Sequence, residues 1–103
     1  MSRRLIIRAE AESDIAEAAA WYEERENGLG FELISEIGAA IKRAAENPGL
    51  YRRVRVRPEV QRILAQRFPY RVFYVLHKDA VIVFAVLHAA RHDILWKVRA
   101  RQE

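Results

Sequence analysis

The chain has 103 residues, 51% of them apolar and 31% charged, with a net charge of +4 and no cysteine. A single globular domain over residues 1–103 is expected, large enough to bury one core, and disulfides and thiolate metal centres are excluded. Only three consecutive apolar residues follow the basic start, too few for a signal-peptide core or a membrane span, so a cytoplasmic protein with no membrane association is expected.

Leu5-Ile6-Ile7 reads as a first strand. Residues 9–13 lead into a helix, with Ser13 as its cap and Asp14 and Glu17 near the positive end of its dipole. Ile15, Ala18, Ala19 and Tyr22 recur at helical spacing and form one apolar stripe, with Trp21 at its edge. Asn27-Gly28-Leu29-Gly30 breaks the pattern, because glycine accepts the positive φ of a helix end.

A second helix is predicted over residues 31–46. Its main stripe is read as Phe31, Ile34, Gly38, Ile41 and Ala45, widened by Leu33, Ile37 and Ala44, and Asn47-Pro48-Gly49 ends it. So short a connection implies an antiparallel helical hairpin, whose axes Ala18, Ala19 and Gly38 allow to approach closely. Residues 50–59 carry Arg52, Arg53, Arg55 and Arg57 and read as a basic loop.

Three antiparallel strands follow. The first begins near Val60 and turns at Arg67-Phe68-Pro69; the second spans residues 70–77; after Lys78-Asp79 the third spans residues 80–88. With a two-residue turn there, Arg71 should oppose Val86, and Arg71, Phe73 and Val75 should share a face with Ile82, Phe84, Val86 and His88. Val72, Tyr74, Leu76, Val81, Val83, Ala85 and Leu87 take the other face. Both faces are thus apolar, which a sheet covered on one side should not show. One takes the helical hairpin. The other needs the C-terminal tail, another subunit or a bound peptide. The tail, residues 93–101, has room for one or two helical turns carrying Ile94, Leu95 and Val98. The class expected is α+β, of order β-α-α-β-β-β, with a helical hairpin on a small, mainly antiparallel sheet.

Charge divides along the same line. Residues 1–51 hold six Lys/Arg against ten Asp/Glu, and the rest twelve against four. The basic sheet half suits a polyanion, whether nucleic acid or an acidic protein segment. His77, His88 and His92 lie in different elements with no acidic partner at ligand spacing, so no metal site is expected. Gly28-Leu29-Gly30 follows a helix rather than a strand, unlike a phosphate-binding loop, and no serine sits in a nucleophile elbow. What remains is a set of cations and rings at the strand ends: Arg62, Arg67, Tyr70, Arg71, His88, Arg91, His92 and Trp96. A metal-free nuclease needs such groups to take and give protons and to hold phosphate charge. The same residues also fit ordinary edge packing and a solvated surface.

The order of these elements, with Asp14-Ile15-Ala16-Glu17-Ala18, Trp21-Tyr22-Glu23, Gly28-Leu29-Gly30, Glu46-Asn47-Pro48, Arg67-Phe68-Pro69-Tyr70-Arg71-Val72 and Val86-Leu87-His88 followed by Arg91 and Trp96, resembles the RelE/ParE superfamily of type II toxin–antitoxin toxins. The ParE-like branch is favoured, because Leu64 stands where RelE-like nucleases would carry lysine and Leu95-Trp96-Lys97 replaces their tyrosine region. That branch implies inhibition of DNA gyrase without catalysis or cofactor, and a cognate ParD-like antitoxin in a hetero-oligomer. The resemblance directs antitoxin contact to Trp21, Tyr22, Leu29 and Phe31 and to the basic sheet half, which an acidic antitoxin tail would complement, and target contact to Arg67, Tyr70, Arg91, His92 and Trp96. The RelE-like alternative is a ribosome-dependent mRNA endonuclease using Arg62, Arg71 and Arg91 for phosphate charge, with His88 or His92 as proton donor. A non-toxic basic binding module is the third reading.

Overall fold

A computed structural model describes residues 3–90 and 94–103. Five strands, β1 (Arg4–Ile7), β2 (Arg52–Val54), β3 (Arg57–Leu64), β4 (Tyr70–His77) and β5 (Ala80–His88), form one sheet in the order β1-β5-β4-β3-β2. β1 runs parallel to β5 and every other pairing is antiparallel. Helices α1 (Ala9–Arg25) and α2 (Leu29–Glu46) lie on one face, and α3 (Ile94–Ala100) packs on the other. The α+β class and the element order hold. The expected basic loop is instead a 3-10 turn at Pro48–Leu50, strand β2 and the start of β3.

Helix α1 begins at Ala9, four residues before the expected cap, so Ser13 sits in its second turn. Alanine is the best helix former, and Glu10 and Glu12 complement the dipole in the first turn, so no side-chain cap is needed. Asp14, expected near the dipole, reaches across to the sheet and the tail instead. Helix α2 starts from Gly28, whose φ of 88° is left-handed, and it is capped from α1: both carboxylate oxygens of Glu23 accept, one from the Gly28 N–H and one from the Gly30 N–H, each at 2.9 Å.

The face α2 presents to the sheet corrects the sequence reading. Leu33, Ile37, Ala40, Ile41 and Ala44 are buried, whereas Phe31 and Ile34 are 76% and 48% exposed. Two apolar stripes compete on this helix, and the row widened by Leu33, Ile37 and Ala44 is the one the sheet takes. Close helix approach depends on Gly30, where a Cβ would sit 2.6 Å from the Ala19 carbonyl oxygen; Gly38 faces open space.

The β4–β5 hairpin turns at Lys78-Asp79 as expected, with His77 opposite Ala80, but the register shifts at Phe73/Tyr74. Phe73 pairs with Ala85 and Tyr74 with Val83, which leaves Phe84 as an extra residue, so Arg71 opposes Leu87 rather than Val86. Ala85 and Leu87 therefore join Phe73, Val75, Ile82 and Phe84 under α3, while Val86 turns to the helical hairpin. Asp14 and Arg99 take up the backbone groups at this bulge. Asp14 Oδ2 accepts from the Val86 N–H at 2.9 Å, Arg99 donates to the Phe84 carbonyl at 3.2 Å, and the two side chains pair at 2.6 and 3.1 Å.

The second sheet face is covered by the tail. The Trp96 ring stacks on Phe73 at 5.2 Å between centroids, and Ala100 is buried beside it. Beyond α3, Glu103 pairs with Arg8 at 2.9 Å. Under the other face, the Tyr74 hydroxyl donates to the Pro48 carbonyl at 2.7 Å and Gln61 donates to the Tyr51 carbonyl at 3.2 Å, which fixes the turn that leads into β2. Burial pushes the Tyr74 phenol up to about 12.

Candidate functional site

Side chains alternate along a strand, and cross-strand partners share a face. Arg52 opposes Arg62 across β2 and β3, Arg62 opposes Phe73 across β3 and β4, and Arg71 is the next residue of β4 on that face. The result is a slot of about 230 Å³ on the α3 side. Five arginines line it, Arg52, Arg53, Arg55, Arg62 and Arg71, together with Val54 and the Phe73–Trp96 stack. Among the described residues, no acidic side chain, histidine or tyrosine lines it. The Arg71 guanidinium carbon lies 5.2 Å from the Phe73 ring centroid, and Arg53 donates to the Pro58 carbonyl at 3.0 Å. A second hollow of about 440 Å³ adjoins the slot through Arg52 and Arg62, and adds Arg43 and Tyr51.

Trp96, assigned to target contact by sequence, is only 2% exposed, because an indole of that size is what fills the apolar face beneath α3. Arg52, Arg53 and Arg55 were not singled out by sequence as site residues. The signal was the arginine run itself, but a run in a loop and one in an edge strand look alike until pairing is known.

The other expected groups gather on the opposite face. Because of the bulge, His88 pairs with Tyr70 on the helical side, with ring centroids 5.3 Å apart, and Tyr70 in turn meets Tyr22 at 6.3 Å. His88 Nδ1 accepts the Ala90 N–H at 3.0 Å, so a neutral ring carries its proton on Nε2. Beside it a cleft of about 80 Å³ is lined by Asp14, Glu17, Tyr70 and His88. Arg67 is exposed and pairs with Glu32 at 2.8 Å. The nuclease set is thus divided, with Arg62 and Arg71 on one face of the sheet and His88 on the other. Arg91 and His92 lie outside the described residues.

On the helical hairpin, Trp21 of α1 is 51% exposed, and Phe31 and Ile34 of α2 are also open to solvent. Arg25 stacks on the Trp21 ring at 3.5 Å. Tyr22 and Leu29, the other two positions directed to the antitoxin, are half-buried against the core. A separate groove of about 440 Å³ runs between α2 and the sheet edge at β1, lined by Leu5, Gly38, Ile41 and Ala45. No helix among the described residues is long and apolar enough to cross a membrane.

No curated protein sequence matches the chain. Solved structures do. A chain of a chromosomal ParDE toxin–antitoxin system from P. aeruginosa superposes with a TM-score of 0.76 at 12% identity, covering 84% of this chain and 96% of that one. The E. coli toxin RelE in its free state, as a double arginine-to-alanine mutant, gives 0.64 at 15% identity, with 99% and 98% covered. A crystal structure of the isolated E. coli RelE toxin gives 0.56 at 17% identity, with 99% and 100% covered. At such identities these likenesses establish a shared fold. The sequence profile described as the ParE toxin of the type II toxin–antitoxin system parDE matches residues 5–93, most of the chain, and the protein therefore belongs to the ParE toxin family of type II toxin–antitoxin systems.

Proposed function

We propose that this toxin acts by inhibiting DNA gyrase, without catalysis of its own, and that a ParD-like antitoxin silences it. One observation carries the choice against mRNA cleavage: among the described residues, the arginine slot is lined by no group able to move a proton near neutral pH. A guanidinium holds its proton at any physiological pH, so it can bind and orient phosphate but cannot serve as base or acid in breaking a phosphodiester. Of the two imidazoles that could complete such a site, His88 lies across the sheet against Tyr70, and His92 lies outside the described residues.

Membership of the ParE family supports the gyrase target, and the solved relative belongs to a ParDE system. The exposure of Trp21, Phe31 and Ile34 on the helical hairpin supports an antitoxin partner, since large apolar side chains left open to solvent on one element are candidates for a contact site. Purified toxin should inhibit gyrase supercoiling and leave ribosome-bound mRNA intact. Codon-dependent mRNA cleavage with gyrase unaffected would overturn the reading.

A further inference from the structure

We infer that the outward face of α2 is a self-association surface, on which a second copy of this chain docks antiparallel about a two-fold axis at Gly38. The inference stands apart from the gyrase reading, because it concerns how the free toxin covers its own apolar surface.

Helix α2 carries two apolar stripes, and the sheet takes one of them. The other, Phe31, Ile34, Gly38, Ile41 and Ala45, recurs at i, i+3, i+7, i+10 and i+14 and so runs along one face. Its two halves differ in relief. Before Gly38, Phe31 and Ile34 stand out, 76% and 48% exposed. After it, Ile41 and Ala45 join Leu5 of β1 in lining the hollow of about 440 Å³. Between the two, nothing lies within 4 Å of the position a Cβ of Gly38 would take.

A face with a projection on one side of a point and a hollow on the other is complementary to itself after a half-turn about that point. Phe31 lies seven residues before Gly38 and Ala45 seven after, so antiparallel helices crossing there set Phe31 of each copy over Ala45 and Leu5 of the other. Ile34 then falls opposite Lys42. Glycine at the crossing lets the two backbones approach.

Charge agrees with the antiparallel sense. Arg3, Lys42 and Glu46 rim the hollow, a net basic end. The exposed Glu24 and Glu26 lead into α2 at its other end, and Arg25 between them lies on the Trp21 ring. The half-turn brings the basic end of one copy to the acidic end of the other, twice over, whereas parallel pairing would oppose like with like. Strand β1 is also an edge of the sheet, but its exposed Arg3 and Arg4 disfavour pairing with a second β1, which leaves the helix as the contact.

Sedimentation equilibrium of purified toxin without antitoxin measures the association. One helix face and the strand beside it make a small interface, so a dimer with a Kd of about 10 µM is expected. The mass should rise from the 12.0 kDa of one chain toward twice that value with concentration. Ile34→Lys should weaken the dimer at least about tenfold by opposing Lys42, and Lys42→Glu added to that variant should restore it. The rescue reports contact between copies, because residues eight apart on one helix are about 12 Å apart. Gly38→Cys introduces the sole thiol of the chain and should link two copies on mild oxidation, whereas Glu36→Cys, on the other side of α2, should not. Circular dichroism melting confirms that each variant is folded. A mass that stays at one chain up to about 100 µM overturns the inference. So does a dimer that survives Ile34→Lys, and so does equal cross-linking through Glu36→Cys. Toxin that is monomeric alone and loses antitoxin binding in Leu5→Glu gives the hollow to the antitoxin, and overturns it too.

Discussion

Gly30 and Gly38 lie two turns apart on α2, yet substitution should act on them in opposite directions. At Gly30 a methyl group would meet the Ala19 carbonyl oxygen of α1 at 2.6 Å, a backbone atom that cannot swing aside. Gly30→Ala should therefore destabilise the protein by about 1–3 kcal/mol, the usual cost of overpacking. At Gly38 nothing lies within 4 Å and the backbone is helical, so Gly38→Ala should stabilise by about 0.5–1 kcal/mol through helix propensity. Urea denaturation of both variants tests the pair, and equal effects would contradict this account of hairpin packing. Sequence alone placed the close approach at Ala18, Ala19 and Gly38, and the partner of Ala19 is Gly30 instead of Gly38. Both glycines suit a helix crossing, and only the position of the partner backbone distinguishes them.

At the level of elements, what could be read in the chain depended on whether pattern or pairing sets the structure. Strands β4 and β5 and the turn between them follow from alternation and turn chemistry, and their limits were legible. Strand β2 was not, because Arg52-Arg53-Val54 carries the composition of a solvated loop and becomes a strand only by pairing with β3. The bulge opposite Phe73 leaves no mark in composition either, so the predicted register failed beyond it. Arg62 and Arg71 were legible as site residues, but their arginine neighbours and their separation from His88 were not. The element least supported by its own sequence is α3, with only seven residues. Its hold comes from Trp96 and from the Asp14–Arg99 pair, whose side chains are 9% and 17% exposed. Asp14→Ala leaves Arg99 largely buried without its carboxylate and should cost about 3 kcal/mol. The loss should be local, seen as faster amide exchange in α3 than in β4. Unchanged exchange in α3 would show that Trp96 alone holds the helix.

Across the whole molecule, charge and apolar surface occupy different ends. The helical half is acidic and carries Trp21, Phe31 and Ile34 on its surface, while the sheet half carries the arginine slot. If the antitoxin covers the hairpin tip, Phe31→Glu should weaken that complex at least tenfold, as the loss of an aromatic anchor does. With Phe31 76% exposed, folding should not change. Calorimetric titration with the antitoxin measures the effect, and unaltered affinity would move the contact elsewhere, with the groove beside Leu5 and Gly38 the next surface to test.

The extra residue in β5 works as a frameshift in three dimensions. Its sequence, strung flat against β4, would turn the imidazole of His88 toward Arg71 and set an acid–base group among the guanidiniums. Accommodating Phe84 as a bulge, with Asp14 and Arg99 holding its loosened backbone, sends that imidazole to the far side. Whether His88 stands beside Arg71 or across the sheet from it is thus decided by the parity of one strand.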